Sequence, residues 1–183
     1  MQRYASKLKV KWVGLSNKEV RRIYHDAFRP SERMPMFMMV FMSLFGNTRF
    51  EAFYDSGTLC GFLYYELGMK QVFLMFFAVD KTLRGRGYGK EMLDSVANRF
   101  PNKVIITSIG DDTGDDAETV CGRRSFYEKC GFAPSGYNIR MNGITEEVLT
   151  RNGEFSKSRF RTFMALYSFG TQWPKIWKRE DKR

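Results

Sequence analysis

The chain has 183 residues, of which 43% are hydrophobic and 16% aromatic, a length that suits the core of one ordinary domain. Its formal charge of +10 suits an anionic partner such as a phosphate-bearing cofactor, a nucleic acid or a membrane surface. The N-terminus lacks the apolar core of a secretory signal, and the longest apolar stretch is too short to cross a bilayer. These features favour a cytoplasmic protein that does not use the membrane.

Cysteine and histidine give little support to metal or nucleophilic chemistry. Cys60, Cys121 and Cys130 match no metal-binding spacing, and His25 is the one histidine. We therefore expect no metal, and we expect Cys121 and Cys130 to be buried or partly buried structural thiols. His25 is predicted to be a packing or surface residue, and a place in an acceptor pocket stays open for it.

The first half of the chain alternates β-rich runs with two helical segments. The first helix is predicted to be capped by Ser16, and the second, apolar nearly all round, is predicted to be buried, to act as a lid or to form a subunit contact. The predicted elements are a strand at 7–13, helices at 16–28 and 36–45, a hairpin at 49–55 and 59–67, and a central strand at 70–80.

The second half continues the mixed order of helices and strands. An acidic loop at 110–118 interrupts it, Asn142 and Gly143 give a type I′ hairpin signal, and Ser156 is predicted to cap the last helix. The charged end at 177–183 is predicted to be a frayed tail. The predicted elements are a helix at 90–100, a strand at 103–109, a helix that starts at 119 and ends at Cys130-Gly131, a hairpin at 137–150 and a helix at 155–170.

The stretch FFAVDKTLRGRGYGKEML, residues 76–93, joins the central strand to a helix through three glycines. It fits neither the dinucleotide-binding pattern nor the P-loop pattern. Glycines before a helix still allow backbone N–H groups and the helix dipole to converge on an anion, and basic side chains add charge. We interpret it as a pyrophosphate cradle, with a tight turn and solvated basic residues as the alternative; its residues are Arg84, Gly85, Arg86, Gly87, Tyr88, Gly89 and Lys90.

Two segments resemble the GCN5-related N-acetyltransferase (GNAT) superfamily. Its acetyl-CoA signature is Arg or Gln, two residues, Gly, one residue, then Gly or Ala, which Arg84, Gly87 and Gly89 fill. Further on, RRSFYEKCGF resembles a later helix and turn of the superfamily, with matches at Tyr127 and at Gly131-Phe132. The resemblance implies an α/β fold of the acyl-CoA N-acyltransferase type, with a mixed, mostly antiparallel central sheet, splayed central strands and flanking helices.

The resemblance also implies a domain plan and an activity. A single domain would span 1–183, with the common core at about 8–152 and a C-terminal helix and charged tail at about 155–183. The activity would be acetyl transfer from acetyl-CoA to a primary amine by direct attack in a ternary complex. Backbone groups at Phe77, Ala78 and Val79 would hold the pantetheine arm and thioester.

Catalytic roles are implied for two side chains. Tyr127 matches the acid that protonates the departing thiolate, because a phenol keeps its proton at neutral pH; the alternative is a packed core aromatic beside Phe126. Glu66 is a candidate general base, although a strand-end glutamate is more often solvated and a water chain is an alternative.

One position departs from the superfamily pattern. Val120 replaces an asparagine that often contacts the pantetheine. Ser125 or one of the arginines at 123 and 124 would then reach CoA, but the arginines are equally expected on a solvated helical face or in pairs with the acidic residues at 115, 116 and 118.

Acceptor identity is not encoded in a recognisable motif. The first two helices, the loop between them and the C-terminal hairpin are expected to set it, and a small molecule, a polyamine or a protein all remain open. Two other functions stay open as well: a CoA-binding sensor without catalysis and, less favoured, a basic nucleic-acid-binding module. A homodimer is also left open.

Overall fold

The computed structural model describes residues 8–110, 117–141, 143–168, 170–171 and 173–179, with the backbone alone at 117–120. They divide into two compact units. The first contains the described residues up to Leu67 together with Leu74–Phe100, and the second contains Gly68–Phe73 with the described residues from Pro101 onward. The proposed single domain over 1–183 and its internal boundaries stay predictions.

The elements of the first unit follow the predicted order. A short 3-10 turn precedes the second helix and another precedes the glycine loop. The elements are β1 Lys9–Trp12, α1 Lys18–Ala27, α2 Met36–Leu44, β2 Thr48–Asp55, β3 Thr58–Leu67, the later part of β4 Gln71–Val79, and α3 Tyr88–Arg99.

Side chains along the strands of the first unit alternate between the two faces of the sheet, and its helices pack on both faces. β1 pairs antiparallel with β2, and β2 with β3, so that Phe50 lies opposite Tyr64. These two residues pack in one buried cluster with Tyr24 of α1. On the opposite face, Tyr65 accepts a hydrogen bond from Arg99 of α3, 3.0 Å from the hydroxyl oxygen. The sheet therefore has α1 and α2 on one side and α3 on the other.

The cap residue predicted for α1 is wrong, and burial, one of the three alternatives for α2, holds for one side of that helix only. Asn17, rather than Ser16, caps α1, because its side chain accepts a hydrogen bond from Val20 N at 3.0 Å. Helix α2 is buried along one side only, through Met39 and Val40. Its other side exposes large apolar side chains, namely Phe37, Phe41, Leu44 and the following Phe45.

The second unit is built on the first residues of β4, which pair parallel with β5 from Gln71 opposite Val104 to Phe73 opposite Ile106. The strand order continues as β5-β7-β6-β8 with antiparallel pairs. The ring of Phe73 packs edge-on against Phe160, with centroids 5.0 Å apart. The elements are β5 Val104–Gly110, α4 Ala117–Lys129, β6 Ala133–Met141, β7 Ile144–Arg151, α5 Lys157–Tyr167 and β8 Lys175–Lys178.

The C-terminal part of the second unit differs from the prediction in two places. Strand β8 pairs with β6, so the predicted tail begins inside a strand; residues 180–183 lie outside the described part. Ser156 occupies the cap position of α5, but its side chain makes no capping hydrogen bond. In the β6–β7 hairpin, Gly143 has φ of 83°, as a type I′ turn requires, while Asn142 lies outside the described residues.

The predicted fold class is confirmed as a mixed, mostly antiparallel sheet with flanking helices. Residues 111–116 of the acidic loop are outside the described part, so the loop keeps its status as a sequence feature. None of the helices in the described part is long and apolar enough to cross a membrane.

Candidate functional site

The glycine loop at 84–90 has the backbone that an anion cradle requires. Gly85 and Gly87 have φ of 76° and 87°, a region that side chains with a Cβ rarely adopt. A Cβ built on either glycine has no described atom within 4 Å, so conformation rather than internal packing explains both residues. Gly87 caps α3, and Glu91 N makes the first helical bond to Gly87 O at 3.1 Å. The amides at 88–90 therefore belong to the helix turn that lacks internal acceptors.

Basic side chains surround this open backbone. Arg84, Arg86 and Lys90 are all exposed. Lys90 Nζ lies 2.6 Å from Asp94 Oδ2, a surface pair one helical turn apart that contributes little stability. The loop thus combines first-turn amides, a helix dipole and cationic side chains, a set that suits a phosphate group.

A buried carboxylate, Asp80, fixes the start of the loop. Only 4% of the residue is exposed. Its Oδ1 accepts hydrogen bonds from Thr82 N at 2.8 Å and Thr82 Oγ1 at 2.7 Å, and its Oδ2 accepts one from Arg22. The hydrogen bond from the Thr82 hydroxyl, aided by Arg22 and opposed by burial, lowers the pKa of Asp80 to about 2. Sequence reasoning missed this residue, although Asp two positions before Thr is a turn signal.

A second carboxylate, Asp55, holds the other end of the loop. Tyr88 is the first residue of α3, and its hydroxyl donates to Asp55 Oδ2 at 2.8 Å. That hydrogen bond is the main cause of the raised pKa of Tyr88. Asp55 ends β2, directly before a turn in which Ser56 and Gly57 have φ of 49° and 91°. The β2–β3 turn is thereby tied to the first turn of α3.

The residues predicted to hold the pantetheine arm lie at the end of β4. Ala78 is buried, and Phe77 and Val79 are half-buried. A Cβ at Gly61 of β3 would lie 2.3 Å from Ala78 O, so the backbone there passes too close for any other residue. Asp80 N donates to Cys60 O at 2.9 Å. Pantetheine binding at these three residues stays a prediction.

Glu66, the candidate base, is buried rather than solvated. It lies opposite Thr48 in the β2–β3 pairing, and the Thr48 hydroxyl donates to its Oε2. Burial raises the pKa of Glu66, while the Thr48 hydroxyl and the charge of Arg49 lower it less. A carboxylate with a raised pKa is a better proton acceptor than a solvated one. Its role as base stays a prediction.

Tyr127, the candidate acid, lies in α4 of the second unit and is 8% exposed. The rings of Phe126 and Phe132 stand edge-on to it, with centroids 5.4 and 5.3 Å away. Burial raises the pKa of the phenol, and a hydrogen bond with the Thr107 side chain lowers it less. The side chain is therefore both a packed aromatic and a phenol that is protonated at neutral pH, as an acid must be.

The arginine at 124 is tied to a buried carboxylate of the same unit. Arg124 donates to Glu147 Oε2, and Arg179 Nη1 lies 2.6 Å from Glu147 Oε1. Burial opposes ionisation of Glu147, but the two guanidinium groups outweigh it and lower its pKa. Arg123 and Ser125 are exposed, and CoA binding by Ser125 stays a prediction.

The thiols and the histidine differ in their surroundings. Cys60 and Cys130 are buried, but Cys121 is exposed, which corrects the expectation of a buried or partly buried thiol there. His25 is exposed on α1, with its Nδ1 3.1 Å from Arg33 Nη1. It lines a pocket of about 250 Å³ together with Arg33 and Met34, and its place in an acceptor pocket stays a prediction.

Comparisons with known proteins agree with these observations. Residues 47–134 match the family model of the acetyltransferase (GNAT) domain, which includes the glycine loop and Tyr127. A protein from Bacteroides thetaiotaomicron assigned to the GNAT family has 17% identity and a TM-score of 0.70, over 90% of this chain and 99% of its own. No curated protein matches the chain.

Two further solved structures carry the cofactor. A Bacillus subtilis acetyltransferase in complex with CoA has 20% identity and a TM-score of 0.55, over 79% of this chain and 97% of its own. A GNAT family acetyltransferase from Elizabethkingia anophelis with acetyl-CoA bound has 12% identity and a TM-score of 0.52, over 80% and 99%. At these identities the similarity shows a shared fold, and the family match at 47–134 confirms the superfamily resemblance.

Proposed function

We propose that this protein transfers the acetyl group of acetyl-CoA to a primary amine. Its residues 47–134 match the family model of the acetyltransferase (GNAT) domain. The observation that carries the proposal is the loop at 84–90. Its two glycines with positive φ stand directly before α3, surrounded by exposed basic side chains. A pyrophosphate diester carries two negative charges, and this backbone offers amides, a dipole and cations to bind them.

In the proposed reaction, a neutral amine attacks the thioester carbonyl within a ternary complex. A C–N bond forms, the C–S bond breaks, and CoA leaves as a thiolate that receives a proton. Backbone groups of Phe77, Ala78 and Val79 hold the pantetheine arm and orient the carbonyl. Ser125 gives a further contact to CoA.

Two side chains handle the protons of this reaction. Glu66, directly or through water, takes the proton that the amine loses, and its raised pKa supports that role. Tyr127 donates the proton to the thiolate sulfur. Burial keeps its phenol protonated at neutral pH, and that supports its role as the acid.

Direct attack, rather than an acetyl-enzyme, is the second feature of the proposal. Cys130 is buried and Cys121 is exposed, and neither matches a histidine-activated pattern in the sequence. After exposure to acetyl-CoA, mass spectrometry is expected to show no acetylated cysteine. A cysteine acetyl group that forms and then passes to an amine as fast as turnover would establish a covalent route instead.

The deciding experiment has two stages. Calorimetry with acetyl-CoA is compared with a polynucleotide titration in increasing salt, which separates a cofactor protein from a nucleic-acid-binding module. Small amines, polyamines and N-terminal or lysine-bearing peptides are then screened for release of free CoA. Tight acetyl-CoA binding with no release across all three amine classes would favour the non-catalytic sensor. If the protein does not bind acetyl-CoA, both the acetyltransferase and the sensor are contradicted.

A further inference from the structure

The glycine loop needs support from outside its own sequence. Gly85 and Gly87 have more conformational freedom than other residues, so an untethered loop populates many backbone states. Ordering these states upon binding costs affinity, and fixing the loop beforehand removes that cost. Contacts that hold the start of the loop remove part of that cost.

Asp80 holds the start of the loop through its backbone and its side chain. Its N–H donates to Cys60 O at 2.9 Å, which ties it to β3, and its own carbonyl accepts from Leu83 N at 2.9 Å. Its carboxylate accepts from the backbone and the hydroxyl of Thr82. Arg84, the first residue of the cradle, follows directly after this short turn.

Helix α1 supplies the cation that completes this arrangement. Arg22 reaches Asp80 Oδ2, and its Nη1 lies 3.7 Å from Asp26 Oδ2 one turn along α1. Asp26 Oδ2 is in turn 3.3 Å from Lys81 Nζ, on the residue after Asp80. Charges thus alternate between the helix and the turn, so both residues at the base of the turn are bound to α1. We call these four residues, Arg22, Asp26, Asp80 and Lys81, the α1 clamp.

We propose that Asp80 and Arg22 are positioning residues for acetyl-CoA: through the α1 clamp they fix the turn from which the glycine loop begins, so that its amides are oriented before the pyrophosphate arrives. Neither residue needs to touch the ligand. The inference rests on the proposed function, because it concerns the same cofactor. It also implies that a displacement of α1 changes acetyl-CoA affinity.

The test compares Arg22→Met and Asp80→Asn with their double variant. Asparagine keeps an oxygen for Thr82 but loses the charge that Arg22 binds. Each single change is expected to weaken acetyl-CoA binding about 5-fold, and the double variant no more than about 2-fold beyond either, because both remove one interaction. Arg22→Lys is expected to restore part of the affinity, and saturating acetyl-CoA is expected to restore kcat while KM stays raised.

Arg99→Met is the matched control. Arg99 also makes an ion pair in the first unit, with Nη1 2.6 Å from Glu51 Oε1, but it ends α3 about 16 Å from its first residue. Its loss is expected to lower stability while acetyl-CoA affinity stays within about 2-fold. Backbone hydrogen exchange at 82–90 without ligand is expected to accelerate in Arg22→Met and not in Arg99→Met.

The outcomes separate this inference from the proposed function. If the wild-type protein binds acetyl-CoA and both Arg22→Met and Asp80→Asn bind it with the same affinity, the inference is overturned and the proposed function still stands. Additive losses in the double variant would also overturn it, because they indicate two independent effects. An equal loss in Arg99→Met would overturn it as well, because it indicates general destabilisation. Absence of binding by the wild-type protein would overturn the proposed function and, with it, this inference.

Discussion

The glycine loop and the surroundings of Tyr127 are organised in opposite ways. The loop is exposed, its conformation depends on two glycines with positive φ, and its ends are held by carboxylates. Tyr127 is buried between aromatic rings, and its hydroxyl is hydrogen-bonded with Thr107. The first region suits a ligand that brings its own charge. The second suits a group whose protonation state must be protected from water.

Buried carboxylates show the same contrast on a smaller scale. Glu66 in the first unit and Glu147 in the second are both less than a tenth exposed. Burial raises the pKa of Glu66, which has a neutral hydroxyl as its close partner, whereas two guanidinium groups lower the pKa of Glu147. Burial alone therefore does not set the direction of the pKa shift of a carboxylate; the groups that bind the carboxylate also decide it. A carboxylate with a raised pKa is available for proton transfer, and one bound by two cations is structural.

The largest effect is expected from Tyr127→Phe. Removing the hydroxyl leaves the ring contacts but takes away the proposed acid, so turnover is expected to fall about 100-fold with acetyl-CoA affinity nearly unchanged. Steady-state and single-turnover rates with an active amine measure it, together with binding calorimetry. Phe126→Leu is the control for packing. Full turnover in Tyr127→Phe, with chemistry rate-limiting, would return Tyr127 to a purely structural role.

Glu147→Gln is expected to lower stability by about 2 kcal/mol at neutral pH, because a neutral amide with one oxygen and one NH2 group replaces a carboxylate whose two oxygens bind Arg124 and Arg179. The folded pKa lies below the unfolded one, so this stabilisation is present above the unfolded value and disappears as the pH falls through the folded value. Denaturant unfolding of both proteins from pH 7 down to pH 3 measures the difference. A gap that widens toward low pH would contradict the assignment.

Gly87→Val addresses the loop itself. A β-branched residue with φ near 87° is strained, so the loop is expected to change conformation and to bind acetyl-CoA about 10-fold more weakly. Gly143→Val is the matched control, because Gly143 has φ of 83° and also has no described atom within 4 Å of a Cβ. Similar unfolding midpoints with a loss of affinity in Gly87→Val alone support the cradle, and unchanged affinity there would reject it.

The sequence predicts the glycine loop because its glycines and cations are consecutive, so the local pattern alone carries the signal; its function as a pyrophosphate site stays a prediction. The order of strands and helices was predictable for the same reason, since hydrophobic periodicity is local. The contacts of Asp80 and Asp55 could not be predicted, because their partners Arg22 and Tyr88 lie 58 and 33 residues away in the sequence. Single acidic residues at strand ends carry no signal of such contacts.

The sequence pattern was a poor guide to the burial of two features, Glu66 and helix α2. For Glu66 the sequence left a solvated strand-end position open beside the role of general base, but β3 continues through it to Leu67 and Thr48 covers its carboxylate. Helix α2, apolar nearly all round, was predicted to be buried, to act as a lid or to form a subunit contact; it exposes Phe37 and Phe41, so it is not buried on all sides. The composition of a helix shows that it can be buried, but it does not show how much of its surface the neighbouring elements cover.

Glu66→Gln is expected to have the smallest effect on stability and the opposite sign from Glu147→Gln. The folded pKa of Glu66 lies above its unfolded value, so its contribution is fully present below the unfolded pKa and is lost as pH rises through the folded one. A neutral amide avoids that loss and can still accept from Thr48. The variant is therefore expected to be more stable than wild type at pH 7 by on the order of 1 kcal/mol, with no gain at pH 3.

Thr48→Val separates the base role of Glu66 from its effect on stability. The Thr48 hydroxyl lowers the pKa of Glu66, so its loss raises that pKa further. If Glu66 accepts the proton of the amine, the acidic limb of kcat/KM is expected to move to higher pH in Thr48→Val, and Glu66→Gln is expected to lose that limb together with most of its rate. An acidic limb that stays in place in Thr48→Val, despite the retained fold, assigns the base to another group.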